Sequence, residues 1–253
     1  MKNNKLFSFA TLIAIFFSLQ VSSQTKISFN SLTMDIKGNI ILLGIQHSDS
    51  AFEGQKSAFI SNSSGDFLCS VYPKIIAAAG SKPVIYLMEG ISPSDWIILD
   101  SAYHRELMFP DCLLEEKMLG CDTRPDSIKN LSLAVLELFG SIYDDGLNGK
   151  EETIEEVLGK YSTLDLSRLK LNDAKAVGIY NRNFENNILW TARDLEKKGF
   201  YVIVICGAAH VAKIIVEEEK KDIGYVFCQN HEQMKSALRC AKIFSVLEFL
   251  AYR

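Results

Sequence analysis

The stretch from Tyr201 to His210, Tyr-Val-Ile-Val-Ile-Cys-Gly-Ala-Ala-His, constrains the fold more than any other part of the chain. Its β-branched and aromatic residues show no polar alternation. That predicts a strand buried on both faces, as in a parallel sheet covered by helices. Gly207, two alanines and His210 end the run, and Val-Ala-Lys-Ile-Ile-Val follows before a block of acids and lysines. The order reads strand, tight turn, helix. In open parallel sheets, functional groups gather where a strand ends and the next helix starts. Asn39 to His47, Asn-Ile-Ile-Leu-Leu-Gly-Ile-Gln-His, has the same form: an apolar strand, Gly44, two residues, then His47.

The rest of the chain fits an alternation around these two strands. A weakly alternating edge strand is expected over Lys26–Met34, and a buried strand over Ile40–Gly44. Helical spacing covers Phe67–Ala79 and stops at Gly80, and a second buried strand runs over Val84–Met88. Ser92-Pro93-Ser94-Asp95 reads as a helix start, so a helix is expected over Trp96–Met108. A short strand over Lys117–Cys121 precedes an amphipathic helix over Ser127–Tyr143. Residues 144–171 are turn-rich and then charged, and read as a cap or insertion. One long helix is expected over Asn172–Lys198 with Gly199 as its C-cap. After the Tyr201 strand come a helix to Lys221, a strand over Ile223–Cys228 and a terminal helix over Glu232–Tyr252. The expected fold is α/β, with a mostly parallel central sheet, helices on both faces and the site at the C-terminal edge of the strands. With 253 residues, 48% of them apolar, the chain can bury the core such a sheet needs. A net charge of −4 with acids and bases interspersed argues against a nucleic-acid surface, which needs clustered Lys and Arg.

The N-terminus reads differently. Met1–Lys5 is short and basic, Leu6–Leu19 is mostly apolar without charge, and Val21-Ser22-Ser23 supplies small residues. This is the pattern of a secretory signal over residues 1–23, with the mature chain starting near Gln24 as a single domain. The expected location is therefore exported, periplasmic or secreted, with no stable membrane span after cleavage. Of the six cysteines, Cys121, Cys206 and Cys228 lie in or beside apolar strands and read as small buried hydrophobes. Cys69, Cys112 and Cys240 are available to pair in an oxidising compartment, with connectivity open.

Polar residues just beyond strand ends are His47, Glu89, Asp122 with Arg124, and His210. Each has a plain alternative. A strand-end histidine also caps a following helix, Glu89 also N-caps a turn, and Asp122 and Arg124 also pair with each other as a structural bridge. Arg182 on the long helix also reads as a solvated face residue. Two imidazoles and a carboxylate converging on one point can ligate a divalent metal, act as base and acid on a hydrolytic water, or supply an axial ligand to haem.

In order and spacing, Gly44-Ile-Gln-His47, Glu89, Asp122-Thr-Arg124, Arg182-Asn183 and Gly207-Ala-Ala-His210 resemble one superfamily. It joins the TraB and Tiki-type proteins with the erythromycin esterases and the ChaN-like haem-binding proteins. The resemblance implies two Gly-x-x-His turns side by side at the sheet edge and a hydrolase site acting on a peptide or ester bond of a small-molecule or peptide substrate. His47, Glu89, His210 and Arg182 would be catalytic, and Asp122 and Arg124 would bind substrate. His47, Glu89 and His210 would hold a divalent metal (Mn, Co or Zn). Haem is the alternative cofactor, in a ligand-binding protein of the same fold without catalysis.

Overall fold

The structure, a computed structural model, describes residues 34–46, 60, 62–98, 110–114, 116–128, 131–132, 171–218 and 222–228. It also describes residues 237–238, 240–241, 243–245, 247–248 and 251–252. The strands are β1 (Met34–Asp35), β2 (Ile40–Ile45), β3 (Val84–Met88), β4 (Trp96–Ile98), β5 (Lys117–Gly120), β6 (Tyr201–Gly207) and β7 (Gly224–Phe227). They form one seven-stranded sheet in the order β1-β7-β2-β6-β3-β5-β4. The central strands β7, β2, β6, β3 and β5 are parallel, and β1 and β4 close the edges antiparallel.

Every residue of β2 and β6 is buried, as their unbroken apolar runs require. The two are neighbours, with Gly44 opposite Cys206 and Ile45 opposite Gly207. β6 also lies against β3, with Met88 opposite Ile205. The polar residues that follow β3, β5 and β6 therefore emerge side by side at one sheet edge. Helix α1 (Asn62–Ala79) covers one face, where Leu68, Val71 and Ile75 pack on Ile41, Leu43, Ile203 and Ile205. Side chains alternate along a strand, so Ile40, Leu42, Val202 and Val204 face the other way. Helices α2 (Leu171–Lys197) and α3 (Ala208–Glu218) carry the remaining cover. The mostly parallel α/β sheet with a C-terminal polar edge is as expected.

Several boundaries differ. Helix α1 begins at Asn62, five residues before the first apolar position of the sequence pattern, and contains Pro73. Residues 96–98 are strand, not the start of a helix: they pair antiparallel with β5, Trp96 opposite Leu119. The Ser92–Asp95 signal makes a turn instead, with Asp95 N–H donating to Ser92 O at 2.9 Å. Trp-Ile-Ile suits a strand, and the open edge of β5 supplies the partner. Residues 99–109 and 144–170, His47, and all of the signal segment lie outside the described residues. β6 runs directly into α3 without an intervening turn.

One disulfide joins Cys69 of α1 to Cys112 in the short 3-10 turn Asp111–Leu113. Cys121, Cys206 and Cys228 are buried thiols, as their apolar surroundings suggest. No helix among the described residues is long and apolar enough to cross a membrane.

Candidate functional site

Glu89, Asp122, Arg124 and His210 meet at the C-terminal edge of the sheet, each less than a tenth exposed. Glu89 follows β3 directly. One carboxylate oxygen accepts from Arg124 Nη2, and the other accepts from the Gly207 N–H at 2.5 Å, at the start of α3. A carboxylate there is stabilised by the helix N-terminus, so Glu89 does cap a helix while serving the cluster. Gly44 makes this junction tight. A Cβ on it would stand 3.1 Å from Ala208 Cα, so the glycine of the first Gly-x-x-His lets the second one's helix approach.

Arg124 is the hub. Its Nε donates to Asp122 Oδ1, and its Nη1 to Asn181 Oδ1 and to His210 Nε2, all at 3.0 Å. Its Nη2 donates to Asp122 Oδ2 at 3.0 Å and to Glu89. A guanidinium carries five N–H groups, and all five have partners. The Phe184 ring lies beneath it, 4.0 Å from Arg124 Cζ. Burial alone would lower the Arg124 pKa, but Glu89 and Asp122 overcome it and hold the charge more firmly than usual.

His210 stacks on Phe244 with centroids 4.9 Å apart and meets Phe184 edge-on at 5.0 Å. A guanidinium can only donate, so His210 Nε2 accepts and the ring proton sits on Nδ1. That proton is given to Glu185 Oε1 at 2.9 Å. The other Glu185 oxygen takes Lys213 Nζ at 2.7 Å, and the same Nζ reaches Glu248 Oε2 at 2.6 Å. Glu248 Oε1 then meets Arg182 Nε at 3.2 Å. Burial pushes the Glu185 carboxyl up, but the His210 hydrogen bond, with the Lys213 charge and hydrogen bond, outweighs it, leaving it below the ordinary carboxylate range. A chain of alternating charge thus runs outward from the imidazole.

The expected residues divide. Glu89, Asp122, Arg124 and His210 come together, and Asp122 and Arg124 do pair with each other. Arg182 stands outside the cluster, half-buried, and is linked to it through Glu248 and Lys213. Asn181, Phe184 and Glu185 take the inward places on α2. The buried residues Val177, Asn181, Phe184, Glu185, Ile188 and Ala192 repeat at three and four, so two polar residues sit in the phase of the apolar stripe. That phase was a usable signal for Asn181 and Glu185. Lys213, the one charge in Ala-Ala-His-Val-Ala-Lys-Ile-Ile-Val, carried a similar one.

Glu89 Oε1 and His210 Nε2 are 3.7 Å apart and both turn to the Arg124 guanidinium. That cation fills the place a divalent ion would share between them, so these two donors do not fit a metal pair. Among the described residues no group of three His, Cys, Asp or Glu could hold a metal ion. No family model, curated protein or solved structure matches the chain.

Proposed function

We propose that this chain is an exported hydrolase of the superfamily it resembles, cleaving a peptide or ester bond at the C-terminal edge of the sheet. The observation that carries this reading is convergence. Strands β3, β5 and β6 deliver Glu89, Asp122 with Arg124, and His210 into one buried hydrogen-bonded cluster, oriented from behind by Glu185. Partnered titratable groups gathered in a buried cluster at the end of a parallel sheet are a functional-site pattern.

In this reading the cluster is an electrostatic platform, because both His210 nitrogens and both Glu89 oxygens are already engaged. The group assigned to take a proton from water is His47, two residues beyond the end of β2. The chemistry is proposed to run without metal, since a guanidinium already bridges Glu89 and His210. Haem ligation by His210 is the weaker reading for the same reason. Export is part of the proposal, supported by the apolar Leu6–Leu19 segment and by the Cys69–Cys112 disulfide, a bond typical of oxidising compartments.

The test is a panel of ester and peptide substrates with the mature protein, its His47→Asn and Glu89→Gln variants, and chelator-treated enzyme. Loss of a general base typically costs on the order of a hundredfold or more in kcat, which is expected for His47→Asn. Activity is expected to survive EDTA. Full activity in His47→Asn would refute the assignment of the base, and loss with EDTA restored by a metal would refute the metal-free route.

A further inference from the structure

We propose that the Asn181 side-chain amide is the group that grips the substrate, donating through Nδ2 to the carbonyl oxygen of a neutral acyl group. The inference rests on the hydrolase reading and specifies the substrate class it serves. Its basis is a count of donors and acceptors. The five Arg124 N–H groups, both His210 nitrogens and both oxygens of Glu89, Asp122 and Glu185 have partners within the cluster. Arg124 cannot turn to a ligand without abandoning a buried carboxylate. The guanidinium is therefore a positioning group, not the substrate clamp its residue type suggests.

Asn181 is the exception. It is 1% exposed, and its Nδ2 has no hydrogen-bond partner among the described residues. The orientation of the amide is fixed by chemistry. Arg124 Nη1 can only donate, so the atom facing it is Oδ1 and the NH2 group points away. His210 Nε2 lies on the same Nη1, also at 3.0 Å, so the orphan donor belongs to the histidine's immediate surroundings. Buried polar groups almost always find partners, and an asparagine inside a helix is a poor helix former. A mid-helix asparagine with its donor unspent suits a ligand that brings an acceptor.

The surroundings narrow that ligand further. Glu89 and Asp122 place two carboxylates against the single Arg124 cation, while Glu185 behind His210 is matched by Lys213. A ligand with a permanent negative charge meets repulsion here, and a ligand offering only donors finds no acceptor. An ester, amide or lactone carbonyl satisfies both conditions, with negative charge arising only as the tetrahedral intermediate forms. A donor placed at that oxygen contributes to kcat more than to substrate binding.

The experiment needs no knowledge of the natural substrate. The Asn181 side-chain NH2 resonances of the 15N-labelled mature protein are followed during titration with N-methylacetamide, acetate and methylammonium, and assigned by their absence in Asn181→Asp. That variant keeps an oxygen facing Arg124 and removes the donor. A saturable shift with N-methylacetamide, and none with methylammonium, is expected. On whichever ester or peptide the native protein cleaves, Asn181→Asp is expected to lose on the order of a hundredfold in kcat with KM little changed. Asn181 resonances unmoved by N-methylacetamide, or unchanged kcat in a folded Asn181→Asp, would overturn the inference. If nothing on the panel is cleaved but the NH2 signals shift, the binding inference stands and the hydrolase reading falls. If cleavage persists undiminished in Asn181→Asp, the reverse holds. Should Asn181→Asp not fold, the NH2 signals, assigned from the native protein alone, decide.

Discussion

Tyr201 opens β6 with its ring fully buried and its hydroxyl unpartnered among the described residues. Burial pushes that phenol up to about 12, pushes Cys228 up to about 12, and lifts Cys121 and Cys206 well above the usual thiol range. All are acids held neutral by the fold, with folded pKa values above the unfolded ones. They leave stability untouched below roughly pH 8.5, where an unfolded thiol begins to titrate. Stability is then lost as pH rises through about 12. Tyr201→Phe is expected to be as stable as the native protein at neutral pH or better by about 1 kcal/mol, since only an unpaired hydroxyl is removed. Its melting temperature should also fall less steeply on the alkaline side. Melting curves between pH 7 and pH 11 check both, and a marked loss at neutral pH would mean the hydroxyl is bonded after all. At this scale the sequence was informative wherever a polar residue followed a strand, which found Glu89, Asp122, Arg124 and His210. Arg182 meets Glu248, which holds Lys213. Asn181 and Glu185 are marked as inward only by the phase of the buried stripe. Phe244 and Glu248 were not legible, because nothing local ties them to a histidine more than thirty residues earlier.

The C-terminal helical residues act on that histidine twice. Phe244 stacks on the ring, and Glu248, one turn later, holds Lys213, which holds Glu185. They come this close to α2 because of Gly178: a Cβ there would stand 2.3 Å from Leu247 O and 2.8 Å from Glu248 N. Gly178→Ala would gain helix propensity of about 1 kcal/mol, yet both clashing atoms are backbone, so one helix must move. We expect a net loss of about 1–3 kcal/mol, read by denaturant unfolding, together with a changed His210 ring environment in 15N spectra. An unchanged His210 signal in a destabilised Gly178→Ala would show that the helix supports the fold but not the imidazole. Element boundaries were legible where the apolar period was long, as in α2, expected over 172–198 and observed over Leu171–Lys197. They failed at β4, where a helix-start signal of four residues lost to pairing with an open strand edge.

For the whole molecule, the α/β class followed from unbroken apolar runs alternating with helical spacing, but the order of strands did not. Nothing in β2 or β3 announces that they are not neighbours. β6, contributed far later in the chain, lies between them and hydrogen-bonds to both. A fragment of residues 24–200 would retain β2 and the paired strands β3 and β5 but lack β6, which joins β2 to β3. It is expected to show no cooperative unfolding transition by circular dichroism, even with Cys69 and Cys112 oxidised. A cooperative transition would mean that the β3–β5–β4 part of the sheet folds without β6. The same arrangement sets a timetable for the nascent chain. β2 must wait, unjoined to β3 and β5, until β6 has been synthesised, because long-range pairing comes only after the loop between has been closed. A polypeptide built in this order leaves the two parts of its sheet apart until nearly the whole chain exists, so the edge that carries the cluster closes late.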